Sequence, residues 1–190
     1  LAEKTWLTDI SGPGIQADDD WYRIEVSPPG YERVLVDCRF TDAEGDIDIA
    51  LYDSGGTYLT GSASITDNEY IDYTVPSAGT YYIKVHWGDA GNTYDLWWDD
   101  VRATCYINQP DATTTWLYSR WVQVTWSGGA ATDQVYLHLY KGSIYTGYSW
   151  GPTPNDGSHQ VWVTPSWLPG TDYRIRMWVV SKLGVRVADV

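Results

Sequence analysis

Turn signals interrupt this chain at intervals of about ten residues, and that spacing constrains the fold more than any other feature of the sequence. Gly12-Pro13-Gly14, Pro28-Pro29-Gly30, Gly45-Asp46, Gly55-Gly56, Ala78-Gly79, Gly88 to Gly91, Gly128-Gly129, Asp156-Gly157 and Pro169-Gly170 leave room only for short elements. The intervals alternate with a period of two. Tyr22, Ile24 and Val26 alternate with Arg23 and Glu25, and Val34, Val36, Cys38 and Phe40 alternate with Leu35, Asp37 and Arg39. Ile47, Ile49 and Leu51 follow among Asp46, Asp48 and Asp53, then residues 81–85 and 94–98. Residues 122–126, 135–140, 161–163 and 173–180 make a second set. Successive side chains on a strand point to opposite faces, so each run predicts one buried and one wet row. No segment longer than a turn has helical periodicity. The expectation is an all-β chain.

Its 190 residues are enough for two small domains, and the charge divides them. Residues 1–100 hold 20 acidic and 5 basic side chains, whereas residues 101–190 hold 5 and 7. Asp99-Asp100 closes the acidic block, and residues 101–104 read as the junction. We therefore expect two tandem antiparallel β-sandwiches, 1–100 acidic and 101–190 rich in Trp, each of a normal size for that architecture.

Several function classes lose support at this level. A net charge of −13 argues against sequence-independent nucleic-acid binding, which needs a basic surface. The longest apolar runs are a few residues, so no span of a membrane is expected. Residues 1–10 lack the basic start and apolar core of a signal peptide. His86, His138 and His159 form no zinc-binding pair, and no Gly-x-Ser-x-Gly elbow or phosphate-binding glycine motif occurs. His138 alternates with Tyr136 and Tyr140 opposite Val135, Leu137 and Leu139, as a surface ladder would. Cys38 and Cys105 allow one disulfide, but Cys38 lies on an inward row and a buried thiol is the competing reading.

Asp19-Asp20-Trp21-Tyr22-Arg23-Ile24, residues 45–53, Thr66-Asp67-Asn68-Glu69 and residues 78–85 together resemble the bacterial pre-peptidase C-terminal domain family, over about residues 6–100. The resemblance implies a β-sandwich accessory to a secreted host protein, with roles in secretion, matrix or sugar binding, or host processing. A related collagen-binding module uses calcium. Pro110, Trp116, Val124-Thr125-Trp126, residues 139–142, Asp156-Gly157, residues 162–165 and residues 170–176 resemble the immunoglobulin-like domain named after yeast cell-wall synthesis proteins, over about residues 104–190. Domains of that kind run past the segment matching Val187-Ala188-Asp189 into one more strand. The resemblance thus implies a sheet edge without its closing strand, open to a strand from elsewhere; the competing reading is different pairing at that edge. Leu1, Trp6, Leu7 and Ile10 give a neighbour's N-terminal segment the apolar residues for that exchange, and repeated head-to-tail exchange would build a fibre.

Two sets of side chains remain. Asp18, Asp20, Asp46 and Asp48 are hard oxygen ligands suited to calcium, and Asp53 is placed to shape the turn at Gly55-Gly56. The competing reading is a solvated acidic edge. Among the aromatics, alternation puts Trp126, Trp162, Tyr22, Tyr173 and Trp98 inward. It puts Trp21, Tyr82, Trp97, Trp121, Tyr136, Tyr140 and Trp178 outward, and Trp87, Tyr145, Tyr148, Trp150 and Trp167 in loops. Exposed rings stack on sugars or anchor interfaces. The expected function is that of a non-catalytic, extracellular module pair, with no cofactor required beyond an optional calcium. It would act in adhesion or assembly at a bacterial surface, its partners being copies of itself in a fibre or filament. The alternative is a polysaccharide- or matrix-binding accessory region of a larger secreted hydrolase.

Overall fold

The computed structural model describes residues 1–8, 14–86 and 91–190. Apart from a 3-10 turn at Asp42–Glu44, the regular elements among these residues are strands paired antiparallel. Contacts divide the chain into two sandwich-like units, Leu1–Ala103 and Thr104–Val190.

The first unit contains β1 (Leu7–Thr8), β2 (Ile15–Gln16), β3 (Asp20–Val26), β4 (Arg33–Arg39), β5 (Asp48–Asp53), β6 (Tyr58–Ser62), β7 (Glu69–Thr74), β8 (Gly79–His86), β9 (Asn92–Thr93) and β10 (Asp95–Val101). One sheet has the order β1-β10-β4-β7 and the other β3-β8-β5-β6, with a small β2-β9 pair beside them. Their inner rows meet in a core that includes Val34, Val36, Ile49, Leu51, Ile83, Val85, Leu96 and Trp98. Cys38 joins this core, where burial pushes its thiol well above the usual range. β4 departs from the one-wet-face expectation. Leu35, on its outer row, is only 1% exposed. On the same row the Arg33 guanidinium donates from Nε and Nη2 to Asp72 on β7, at 2.8 and 2.7 Å. A bidentate partner is what allows a guanidinium to be buried on a sheet face.

The N-terminal segment lies on its own unit. Leu7 pairs with Leu96 and Thr8 with Asp95, on the edge of β10. The Leu1 amine donates to the Arg23 carbonyl at 2.7 Å, and Trp98 Nε1 donates to the Leu1 carbonyl at 3.2 Å. Leu1 and Leu7 pack against the first core. The residues expected to leave as a donor strand thus already satisfy a local sheet edge and bury apolar surface at home. Ile10 lies outside the described residues.

The second unit contains β11 (Tyr106–Gln109), β12 (Arg120–Ser127), β13 (Gln134–Lys141), β14 (Ile144–Pro154), β15 (Ser158–Val163), β16 (Tyr173–Val180) and β17 (Arg186–Asp189). A three-stranded sheet, β11-β12-β15, packs on a four-stranded one, β14-β13-β16-β17. At the start of β16, the Tyr173 hydroxyl donates to the Leu168 carbonyl at 2.8 Å. That is the tyrosine corner of immunoglobulin-like sandwiches. Trp126 Nε1 donates to Asn155 Oδ1 at 2.6 Å, and Asn155 Nδ2 donates to the Gly128 and Ala130 carbonyls. One side chain therefore ties β12 to the loop that follows it. Gly128 sits there at φ +95°, and a Cβ on it would meet the Thr104 carbonyl oxygen at 2.2 Å, so only glycine fits. Cys105 is buried beside this loop as a thiol.

β16 is flanked by β17, which is itself the terminal strand of its sheet. Residues 186–189 themselves form β17, pairing Val179 with Ala188 and Trp178 with Asp189. Val190 and Met177 then exchange both backbone hydrogen bonds, at 2.8 and 2.9 Å. The segment that the resemblance placed before a missing strand closes the β16 edge, because Val187 and Ala188 have core to cover there.

Candidate functional site

The outer face of β12 and β15 presents two tryptophans side by side. Trp121 pairs directly with Trp162, Gln123 with Gln160, and Thr125 with Ser158. The two indole centroids are 5.5 Å apart at 59°. Trp121 is 64% exposed and Trp162 41%. Trp162 had been expected inward. Its neighbours Val161 and Val163 are the buried pair, and a strand can turn only one row to the core. The alternation Val161-Trp162-Val163 was the signal that could have found it.

The remaining aromatics separate by what they touch. Trp21 is exposed on the outer face of the first unit, 5.0 Å from Tyr52, which lies 5.7 Å from Tyr58. Trp97 also points outward but meets Trp6 of the docked N-terminal segment at 6.2 Å, with Arg39 over Trp6 at 4.2 Å. Trp167, expected on an exposed loop, is 8% exposed and belongs to the second core. Tyr148, Trp150 and Tyr173 surround it at 5.3, 6.3 and 6.2 Å. Trp150, unlike Trp167, is not in a loop. It lies on β14 opposite Leu137 and packs against that core. Register shifts break the alternation of β14 with β13, and Gly151 at φ +114° supplies one of them. Tyr136, Tyr140 and Trp178 lie half-buried on the outer face of β13 and β16. Trp87 lies outside the described residues.

The acidic candidates fall into separate places. Asp20, at the start of β3, accepts from the Tyr94 hydroxyl at 2.6 Å. Asp53 accepts from the Gly55 and Thr57 amides at 2.9 and 2.8 Å, shaping the turn as expected. Burial, then the nearby Asp46 and Glu69 charges, push Asp48 up to about 6. Burial also raises Asp46. Among the described residues, no three of Asp18, Asp20, Asp46 and Asp48 bring their oxygens within 4.8 Å of one another. The acidic triad that does converge is Glu3, Asp99 and Asp100. Lys4 offsets one of its three charges, its ammonium lying 2.5 Å from Glu3 Oε1 and 3.2 Å from Asp99 Oδ1. The Ser27 amide donates to Asp100 at 2.7 Å. These three carboxylates could hold a metal ion, with Lys4 competing for Glu3 and Asp99.

Residues 18–86 match the model of the bacterial pre-peptidase C-terminal domain, a domain that occurs in secreted bacterial proteins. No family match covers the second unit's resemblance to the yeast cell-wall synthesis domain. No curated protein matches the chain. Among solved structures it is similar to the fibronectin(III)-like modules of Clostridium thermocellum CbhA, at 10% identity and a TM-score of 0.30, over 98% of this chain and 90% of that one. It is also similar to the β-glucuronidase of Ruminococcus gnavus in complex with uronic isofagomine, at 10% identity and a TM-score of 0.26. That likeness covers 91% of this chain and 34% of the glucuronidase, so this chain spans about a third of its length. No helix among the described residues is long and apolar enough to cross a membrane.

Proposed function

We propose that this chain is a non-catalytic pair of accessory modules of a secreted bacterial protein, and that its second unit binds an uncharged polysaccharide. The observation that carries the reading is the Trp121–Trp162 pair with Gln123 and Gln160 in the next row. Two exposed indoles side by side offer apolar faces to the C–H side of a sugar ring. The adjoining amides each supply donors and an acceptor for hydroxyl groups, and none of the four side chains carries charge. Rings held on adjacent strands of one sheet are in place before a ligand arrives, which reduces the ordering cost of binding. The pre-peptidase C-terminal match supports an accessory role and an extracellular location. Assembly into a fibre by strand exchange has less support, since the N-terminal segment and the β16 edge are both engaged within the chain.

Titration of the whole chain with soluble β-glucan and xylan, followed by calorimetry and light scattering, tests this. Binding by a monodisperse protein that falls roughly tenfold in Trp121→Ala, with unfolding unchanged, is the expected result. Binding that is equal in Trp121→Ala, Trp162→Ala and the parent, or filaments formed without sugar, would overturn it.

A further inference from the structure

The outer face of β13, β16 and β17 differs in charge from the Trp121 face. Arg174 and Arg176 project from β16 and Arg186 from β17, and all three are exposed. Between them, Trp178 carries the Arg186 guanidinium 4.6 Å from its ring centroid and that of Arg176 at 5.8 Å. His138 abuts the same ring edge-on at 3.9 Å. Trp178 is therefore a ring that positions arginines and not one left open for a sugar. Asp189 pairs with Arg176 through two hydrogen bonds of 2.7 and 2.8 Å, and with Arg186 at 3.3 Å. Arg174 makes no ion pair among the described residues, and nearby Asp172 is taken by Lys141 at 2.6 Å. Three guanidiniums against one carboxylate leave an excess of positive charge here, in a chain of net charge −13. Beside it lie uncovered rings: Tyr145 is exposed, 5.6 Å from Tyr140 and 5.0 Å from His138.

We infer that this face binds an acidic polysaccharide, with Arg174 and Arg186 taking carboxylates and the rings of Tyr140 and Tyr145 stacking on the sugar. Arginine presents a planar fork that matches a carboxylate. The surplus of two charges is small. Tight nucleic-acid binding draws on roughly 6–10 phosphate contacts, far more than this face supplies. A ligand recognised here must be held partly by its uncharged surface, and a sugar chain bearing spaced carboxylates offers both parts. The site lies on the opposite sheet from Trp121 and stands independently of the uncharged-polysaccharide reading.

The test titrates the whole chain with polygalacturonate, with its methyl ester as an uncharged match, and with duplex DNA. With Trp121→Ala as the background, so that the uncharged-sugar face is removed, expected are salt-sensitive binding of polygalacturonate, no binding of the ester, and weaker binding of DNA. Added to that background, Arg174→Gln should lower affinity for polygalacturonate roughly tenfold. Arg174 is exposed and makes no ion pair among the described residues, so its variant remains informative even where Arg186→Gln loosens the Trp178 stack. The inference is overturned by no binding of polygalacturonate, by equal binding of the ester or DNA, or by an Arg174→Gln variant that binds like the parent.

Discussion

Trp121 and Trp162 stand directly opposite one another across β12 and β15, on the face turned away from the core that Val161 and Val163 enter. Their relationship is one of shared exposure. Trp167, a few residues further along the chain, is enclosed by three other rings and serves the core. The same residue type thus has two roles within one strand and its following turn, and each role predicts a different cost of removal.

Trp167→Ala should destabilise the second unit by about 3–5 kcal/mol, the usual cost of emptying a buried aromatic site. Trp121→Ala should change stability by no more than about 1 kcal/mol, since an exposed cross-strand pair contributes little. Urea unfolding followed by far-ultraviolet circular dichroism separates the two. Equal losses would mean that Trp121 is structural.

Trp126→Phe keeps a ring in the core but removes the donor to Asn155 Oδ1. The acceptor left without its partner should cost about 1–3 kcal/mol beyond the smaller ring. Asn155 also holds the Gly128 and Ala130 carbonyls, so amide exchange in the loop at 128–130 should speed up in the variant. Unchanged exchange there would show that Asn155 holds the loop without Trp126.

Asp48 supplies a pH prediction. Its folded value of about 6 lies above the roughly 3.9 of an unfolded aspartate, burial being the largest cause. The folded state therefore favours the protonated form. That contribution is complete below pH ~4 and is lost as pH rises through about 6. Asp48→Asn should raise the thermal midpoint of the first unit at pH 7 and leave it unchanged at pH 4. Asp99, also raised to about 6 by burial, acts in the same direction, so the parent should lose stability over this window. A gain for Asp48→Asn that is the same at both pH values would show that the charge is not its source.

Much of the architecture was legible because it rests on local rules. Turn residues and period-two alternation place strands one at a time, and they located β3, β4, β5, β8, β12, β13 and β16. The same alternation correctly assigned His138, Tyr136 and Tyr140 to an outer row. The candidate site was legible only in part. Trp121 lies outward as the alternation predicts, whereas Trp162 lies outward against expectation, because Val161 and Val163 take the core row of β15. β14 was read as loop, since its irregular register with β13 removes the periodic signal that identifies a strand.

What the sequence determined by itself was the all-β class, the contrast in charge between its halves, and the aromatic surplus on outward rows. Each is a property of neighbouring residues or of composition. The tertiary structure alone decided that residues 1–8 would lie against β10, that 186–189 would cover β16, that Trp167 would be enclosed, and that Trp178 would carry arginines. Those outcomes depend on partners far apart in the chain. A strand edge or ring face accepts whichever segment gains most by covering it, and that competition is settled only when the whole unit has folded.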